Sequence, residues 1–241
     1  MLLDLIGVSK SFGGLKVLTD ITFGVGEGEI VGLIGPNGAG KTTTFNLITG
    51  IYPPNGGDIR FRGRSLVGRK THQICHAGIA RTFQLVRIFP TMTVVENVLE
   101  GAVYSRRMQS RKGVRDWAME CLSTLKIDHL ANQISGRLTY SDRRLLEIAR
   151  ALAAKPELAL LDEPLAGLNP SETQKIMAVM RQIRQAHGIS ILWIEHKIDA
   201  VFNLCDRVVV LDYGQMLVDG DPKTVAANKK VVEAYLGEPI T

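Results

Sequence analysis

One glycine-rich segment combines residue types that bind phosphate. Residues 35–42 read Gly-Pro-Asn-Gly-Ala-Gly-Lys-Thr, which matches the pattern G-x-x-x-x-G-K-[ST]. Its glycines allow the backbone to curl so that successive N–H groups point at one anion. Lys41 adds a cation for the β- and γ-phosphates, and Thr42 adds a hydroxyl for Mg²⁺. The segment therefore predicts a site for a nucleoside triphosphate and its magnesium ion.

The residues on either side of this segment support the same interpretation. The apolar run 29–34 predicts a buried strand, and Lys41 to Ile48 predict a helix that ends at Gly50. A strand, a glycine loop and a helix N-terminus together form an anion site, whereas a glycine-rich turn without a ligand is the structural alternative. The residues predicted to contact the nucleotide are Gly35, Pro36, Asn37, Gly38, Ala39, Gly40, Lys41, Thr42 and Thr43.

Two carboxylates follow a second apolar run. Residues 158–161 are Leu-Ala-Leu-Leu, which predicts a buried strand, and Asp162 and Glu163 come directly after it. In parallel α/β sheets, ligands bind at this carboxyl end of the strands. Asp162 is predicted to face the Mg²⁺ that Thr42 holds, and Glu163 to polarise an attacking water. The alternative is that both carboxylates cap the next helix.

His196 also follows a predicted strand and could donate to a γ-phosphate oxygen. Taken alone, a histidine in this position is more often structural than functional. Structural roles are assigned to the remaining histidines, which are His72, His76, His129 and His187.

The pattern of apolar residues divides the chain into three kinds of region. Short strands are predicted at 2–8, 16–23 and 58–61, and they suggest an antiparallel sheet beside the glycine loop. Helical spacing dominates residues 93–130, and a further helix is predicted at 141–154. Strands and helices then alternate, which favours a largely parallel α/β sheet. Two short helices are predicted between Pro222 and Tyr235.

Composition restricts the class of protein. The chain has 241 residues, of which 45% are hydrophobic and 22% charged, as in soluble globular proteins. No apolar stretch approaches the roughly 18 residues of a membrane helix, and residues 1–4 lack the basic start of a signal peptide. The three cysteines are far apart and odd in number, which favours a reducing compartment. We expect a cytoplasmic protein of one large domain or two small ones.

The net charge of +5 is distributed unevenly. Basic residues cluster at 60–70 and again at 106–115. Each cluster is interpreted as a solvated face, or alternatively as a surface near an anionic membrane or a nucleic acid. Few aromatic residues lie among these charges, which disfavours a surface for base stacking.

Taken together, the motifs resemble those of an ATP-binding-cassette (ABC) ATPase. They are, in chain order, the glycine segment, Gln84, the stretch 138–152, Leu161-Asp162-Glu163-Pro164, Ala166-Gly167-Leu168-Asn169 and His196. The resemblance implies a P-loop NTPase (RecA-like) core with an antiparallel β subdomain and a helical subdomain. It places the core at 1–87 and 138–241 and the helical subdomain at 88–137. It also implies Mg²⁺-dependent hydrolysis of ATP.

The resemblance assigns a role to each matching residue. Phe12 matches the aromatic residue that stacks on adenine, although an apolar residue at a strand edge would also fit. Gln84 matches the residue that contacts Mg²⁺ and the attacking water, Glu163 the catalytic base, and His196 the switch histidine. Asn169 lies where the family usually has Asp, at the seam of a dimer. The metal ligands implied are Thr42, Gln84 and Asp162.

The family's signature loop departs from its usual sequence in this chain. Leu-Ser-Gly-Gly-Gln is replaced by Leu-Thr-Tyr-Ser-Asp at 138–142. Thr139 keeps a hydroxyl for a γ-phosphate, Ser141 replaces a glycine close to that phosphate, and Asp142 introduces a negative charge. Arg143 and Arg144 are expected to offset that charge locally. In the family, one subunit's signature completes its partner's ATP site, so the resemblance predicts a heterodimer with unequal sites, while a homodimer stays open.

Several segments are similar to the ATPases of branched-chain amino acid importers. They are residues 81–84, 92–98, 165–170 and 233–237. Alternatives are a urea or amide transporter ATPase, a lipopolysaccharide-export ATPase, a soluble regulatory cassette and, through the basic clusters, a nucleic-acid-associated ABC ATPase. The preferred interpretation implies transmembrane permease subunits, a periplasmic solute-binding protein acting indirectly, and no nucleic acid. It places the chain peripherally on the cytoplasmic face of the inner membrane.

Overall fold

A computed structural model describes residues 1–103 and 111–236 of the chain. The chain divides into two compact units. The first unit consists of Met1–Ile74 and the chain from Ser190 onward, and the second unit is Cys75–Ile189. This division sets 75–189 apart as a whole, whereas the resemblance separates 88–137 alone, so the narrower boundary stays a prediction.

An antiparallel sheet lies in the first unit. Its strands are, in spatial order, β2 (Leu15–Val25), β1 (Leu3–Phe12), β4 (Gly56–Phe61) and β5 (Arg64–Ser65). The predicted strands at 2–8, 16–23 and 58–61 are therefore confirmed, with longer bounds for the first two. Leu3 and Leu5 of β1 are buried, because alternate side chains of a strand point to the same face. Val8 is also buried, and a register shift against β2 lies between Leu5 and Val8.

A second group of strands in the first unit is mostly parallel. In this group β3 (Ile30–Ile34) pairs in parallel with both β8 (Ser190–Ile194) and β9 (Arg207–Asp212). Two of these strands, β3 and β8, are fully buried. The strand β10 (Gln215–Gly220) pairs antiparallel with β9, and the sequence did not predict it. Its residues are exposed or half-buried, so it lacks the apolar pattern that marks the other strands. The helices that accompany these strands are α1 (Lys41–Ile48), α7 (Ile198–Leu204), α8 (Pro222–Ala226) and α9 (Lys229–Leu236).

The second unit contains one parallel strand pair and several helices. The pair is β6 (Ile79–Arg81) with β7 (Leu158–Asp162). The helices are α3 (Val94–Val103), α4 (Arg111–Thr124), α5 (Tyr140–Ala153) and α6 (Pro170–His187), with 3-10 turns at Asp128–Leu130 and Ser135–Arg137. The short helix α2 (Thr71–Ala77) contains the boundary between the units. The predicted helical region 93–130 is thus confirmed over its described residues.

Asn169 is the N-cap of α6. Its side-chain oxygen accepts from the N–H of Glu172, and the carboxylate of Glu172 accepts from the N–H of Asn169 (both 3.0 Å). This capping box starts α6 a few residues after Asp162 and Glu163. The predicted place of Asn169 at a dimer seam is not tested by these bonds. Of the basic cluster 106–115, residues 106–110 lie outside the described residues. Among the helices of the described residues, none is both long enough and apolar enough to cross a membrane.

Candidate nucleotide site

The glycine loop of the first unit joins the end of β3 to the start of α1. Gly40 has a φ of 102°, and a Cβ there would lie 2.4 Å from Cδ2 of Leu18. At Gly35 a Cβ would lie 2.1 Å from the carbonyl oxygen of Leu211. Gly38 has a φ of 83° but nothing within 4 Å of its Cβ position. The loop therefore excludes side chains at its two ends by contact and at its centre by conformation alone.

Gly35→Ala is expected to destabilise the protein more than Gly38→Ala does. The added methyl group at position 35 would overlap a backbone carbonyl, which costs about 3 kcal/mol because backbone cannot rotate away. At position 38 the cost is only the left-handed conformation, about 1 kcal/mol. Urea unfolding of both variants measures this difference. Equal losses of stability would contradict the assigned loop geometry.

Lys41 places a buried cation inside this loop. Its Nζ donates to the carbonyl oxygens of Gly35 (2.6 Å) and Pro36 (2.9 Å), and the residue is 6% exposed. Helix α1 starts here with Gly40 as its N-cap, so it has no side-chain cap, and no acidic residue lies in its first turn. The exposed Thr42 follows. An uncapped helix N-terminus beside an ammonium group fits a polyphosphate, because both attract negative charge.

Phe12 lies at the end of β1 within an aromatic and cationic cluster. Its ring meets that of Tyr52 edge to face at 5.1 Å between centroids, and Nζ of Lys10 lies 4.9 Å from the Phe12 centroid. Both residues are 41% exposed, so apolar surface remains for a planar base. Neither Tyr52 nor Lys10 was identified from the sequence, where no motif marks them.

His196 lies in the same unit as the loop and follows the end of β8. Since β8 and β3 are adjacent and parallel, His196 and the glycine loop emerge from the same edge of the sheet. His196 is exposed, and its backbone N–H donates to Oε1 of the buried Glu195 (2.8 Å). The imidazole is therefore presented at the surface of that edge.

In the second unit, Asp162 is the last residue of β7 and is 2% exposed. Its Oδ2 accepts from Nη2 of Arg81 (2.9 Å). Within the described parts of the chain, its Oδ1 is buried with no hydrogen-bond partner. Burial raises the pKa of Asp162 although the hydrogen bond and charge of Arg81 oppose the change, and the negative charge of Glu163 raises it further. A buried carboxylate oxygen without a partner fits a cation as its ligand.

Glu163 and Gln84 form a direct contact in this unit. Nε2 of Gln84 donates to Oε2 of Glu163 at 3.0 Å. Glu163 directly follows the end of β7. Its φ of 47° is a strained conformation for a residue with a side chain. Such outliers cluster at functional sites, where the surrounding structure maintains them. The side chain predicted to polarise the attacking water, Glu163, thus contacts the side chain predicted to contact that water, Gln84.

Helix α5 holds the backbone of this Gln84 segment. Arg144 is 1% exposed and donates to the carbonyl oxygens of Phe83 (2.9 Å) and Gln84 (2.5 Å), and to the hydroxyl of Tyr140 (3.0 Å). Glu147 accepts from Nη1 of Arg144 (3.2 Å) and from the N–H of Phe83 (3.2 Å). The pKa of Glu147 is raised by burial, and these hydrogen bonds and the charge of Arg144 offset only part of that rise. Sequence reasoning missed the ion pair of Arg144 and Glu147. The signal that could have revealed it is two opposite charges three residues apart on the apolar face of a helix.

The start of α5 carries the departing signature residues. Thr139 is the N-cap, and its hydroxyl donates to Oδ2 of Asp142 (2.7 Å) while accepting from the N–H of Asp142 (3.2 Å). Ser141 is buried. Among the described residues, neither Arg143 nor Arg144 is hydrogen-bonded to Asp142: Arg143 donates to the carbonyl of Gly136 (2.7 Å) and Arg144 to that of Gln84. That the two arginines offset the charge of Asp142 stays a prediction. The Thr139 hydroxyl, which the resemblance assigns to a γ-phosphate, is engaged with Asp142 in this structure.

Comparison with known proteins gives consistent matches. A family model described as ABC transporter matches residues 18–166, and one described as Branched-chain amino acid ATP-binding cassette transporter matches 215–240. The high-affinity branched-chain amino acid transport ATP-binding proteins BraF of Pseudomonas aeruginosa and LivG of Salmonella typhimurium are 38% and 42% identical to the chain, and each match covers 98% of both sequences. The ADP conformation of MJ1267, an ATP-binding cassette of an ABC transporter, has a TM-score of 0.89 at 33% identity, covering 98% of this chain and 99% of that one. A dimeric structure of MJ0796, a bacterial ABC transporter cassette, has a TM-score of 0.81 at 25% identity, covering 91% and 98% respectively.

Proposed function

The chain belongs to the ABC transporter family of ATP-binding cassettes, and from this premise we propose that it is the ATP-hydrolysing subunit of an importer for branched-chain amino acids. The observation that carries the proposal is the glycine loop with the buried Lys41 at an uncapped helix start. The C-terminal match at 215–240 and the names of BraF and LivG support the choice of solute.

Each site residue has a distinct task in the proposed reaction. The loop N–H groups and Lys41 hold the phosphates, and Phe12 stacks on the adenine. Glu163 accepts a proton from the attacking water that Gln84 helps to orient, and His196 donates to the γ-phosphate. The residues that would hold magnesium are Thr42, Gln84 and Asp162, and the partnerless Oδ1 of Asp162 fits that role. Bound magnesium would neutralise charge on the β- and γ-phosphates.

We assign the assembly by analogy with the family. A second ABC ATPase subunit would receive the signature residues Thr139 and Ser141 of this chain at its own ATP site. A heterodimer is preferred because those residues depart from the usual loop, and a homodimer remains the alternative. Residues 88–137 would contact the permease subunits at the cytoplasmic face of the inner membrane, and the permeases would receive the solute from a periplasmic binding protein.

Restoring the signature loop is expected to raise ATP turnover of the assembled transporter. In the double variant Ser141→Gly/Asp142→Gln, the carboxylate beside the partner's nucleotide is replaced by a neutral amide whose oxygen can still accept from the Thr139 hydroxyl. Removing a like-charge contact of roughly 1 kcal/mol raises the rate about fivefold. Steady-state phosphate release measures the gain. Asp142→Glu keeps the charge and should give none, and unchanged turnover of the double variant would contradict the unequal sites.

The proposal is tested by transport in proteoliposomes. The chain, its partner ATPase, the permeases and the binding protein are reconstituted, and ATP-driven uptake of labelled leucine is measured against urea. We expect leucine uptake that depends on ATP and is lost in the Glu163→Gln variant. ATP-dependent uptake of urea but not of leucine would show that urea, not a branched-chain amino acid, is the solute. Failure of the chain to form a complex with any permease would favour a soluble regulatory cassette.

A further inference from the structure

The two carboxylate oxygens of Asp162 differ in their hydrogen bonding. Oδ2 accepts a hydrogen bond from Nη2 of Arg81 at 2.9 Å, whereas Oδ1 is buried with no partner among the described residues. The backbone N–H of Asp162 also donates to Oγ1 of Thr82 (3.2 Å). With the backbone and one oxygen fixed, the direction of the other oxygen is determined.

Arg81 is itself held in place. It ends β6 and pairs with Leu160 of β7, so its backbone lies beside the strand that carries Asp162. Its guanidinium carbon lies 5.2 Å from the centroid of the Phe83 ring, and its side chain is 7% exposed. Turning the cation away from Asp162 would therefore break a buried ion pair and separate the guanidinium from the Phe83 ring.

We propose that Arg81 is a positioning residue for the magnesium step: it occupies Oδ2 of Asp162 and thereby presents Oδ1 alone to the ion. The inference rests on the proposed function, in which Asp162 is a metal ligand. Magnesium in nucleotide sites takes single oxygens from one or two carboxylates, with the remaining positions filled by phosphates and waters. A carboxylate with one oxygen already occupied by a planar guanidinium meets that requirement.

The test follows the binding of a fluorescent ATP analogue during a magnesium titration, with EDTA as the metal-free reference. Arg81→Met is expected to raise the magnesium concentration at half effect about 10-fold or more, because the partners that orient a ligating group tune metal affinity by that factor. Binding of the analogue in EDTA should not change. Arg81→Lys keeps the charge without the planar fork, so it should recover the stability to urea while retaining part of the shift.

Arg87→Met is the matched control, because Arg87 lies over the same Phe83 ring at 4.3 Å while Arg81 is the arginine paired with Asp162. In an Asp162→Asn background, Arg81→Met should add no further shift. A lowered stability with an unchanged magnesium midpoint would assign Arg81 a purely structural role and overturn the inference, and Arg81→Lys alone decides if the Met variant does not fold. Wild-type binding that does not respond to magnesium would instead refute the proposed magnesium-dependent function itself.

Discussion

Glu163→Gln is expected to lower ATP hydrolysis at least about 100-fold, since a positioned general base contributes that much or more. The amide has nearly the same shape, so it keeps the turn at the end of β7 and can still contact Gln84, but it cannot accept a proton from water. ATP binding should persist, because the phosphate contacts assigned to the loop lie elsewhere in the sequence. The variant should therefore accumulate as an ATP-bound dimer, which size-exclusion chromatography with ATP detects alongside phosphate release.

Glu27→Gln serves as the matched control for this variant. Glu27 is an exposed glutamate in a turn of the first unit, and the same change there should leave turnover at the wild-type level. Turnover near wild type in Glu163→Gln would refute the role of Glu163 as the base. Loss of both turnover and ATP binding would point to a folding defect, which a thermal melt of the same sample would reveal.

The parts of the site formed by neighbouring residues could be predicted from the sequence. The loop from Gly35 to Thr42 is such a part, because its strand, turn and helix are consecutive and its glycines restrict the backbone. Asp162 and Glu163 were found for the same reason, since an apolar run ends immediately before them. Apolar periodicity identified most strands and helices, but not β10, whose residues are exposed or half-buried.

Contacts between distant residues could not be predicted in this way. Arg81 and Asp162 are 81 positions apart, and their ion pair depends on the parallel pairing of β6 with β7. Arg144 donates to the carbonyl of Gln84, 60 positions away, whereas the sequence suggested only that it would offset the charge of Asp142. Local pattern reveals which residues are charged, whereas the register of strands and helices decides which charges meet.

These distant contacts connect the predicted site residues of the second unit to one another. Arg144 joins the start of α5 at Tyr140 to the backbone of Gln84, and the Gln84 side chain contacts Glu163. Two hydrogen bonds, Arg144 to the carbonyl of Gln84 and the Gln84 side chain to Glu163, thus connect the helix that carries the signature residues to the proposed base. In the proposed dimer, this chain of contacts would couple the signature residues offered to the partner's ATP to the base that serves this chain's own ATP.

Lys41→Met is expected to weaken ATP binding about 100-fold, because charge-assisted bonds to phosphate contribute about 3 kcal/mol. Methionine retains most of the side-chain length, so the packing of this buried position should survive. The carbonyls of Gly35 and Pro36 lose their donor, yet a buried cation is also removed, so we expect the stability to urea to change far less than the affinity. Isothermal titration with ATP measures the loss. Lys175→Met on the exposed face of α6 is the control and should bind ATP normally, and wild-type affinity in Lys41→Met would mean that the glycine loop is not the phosphate site.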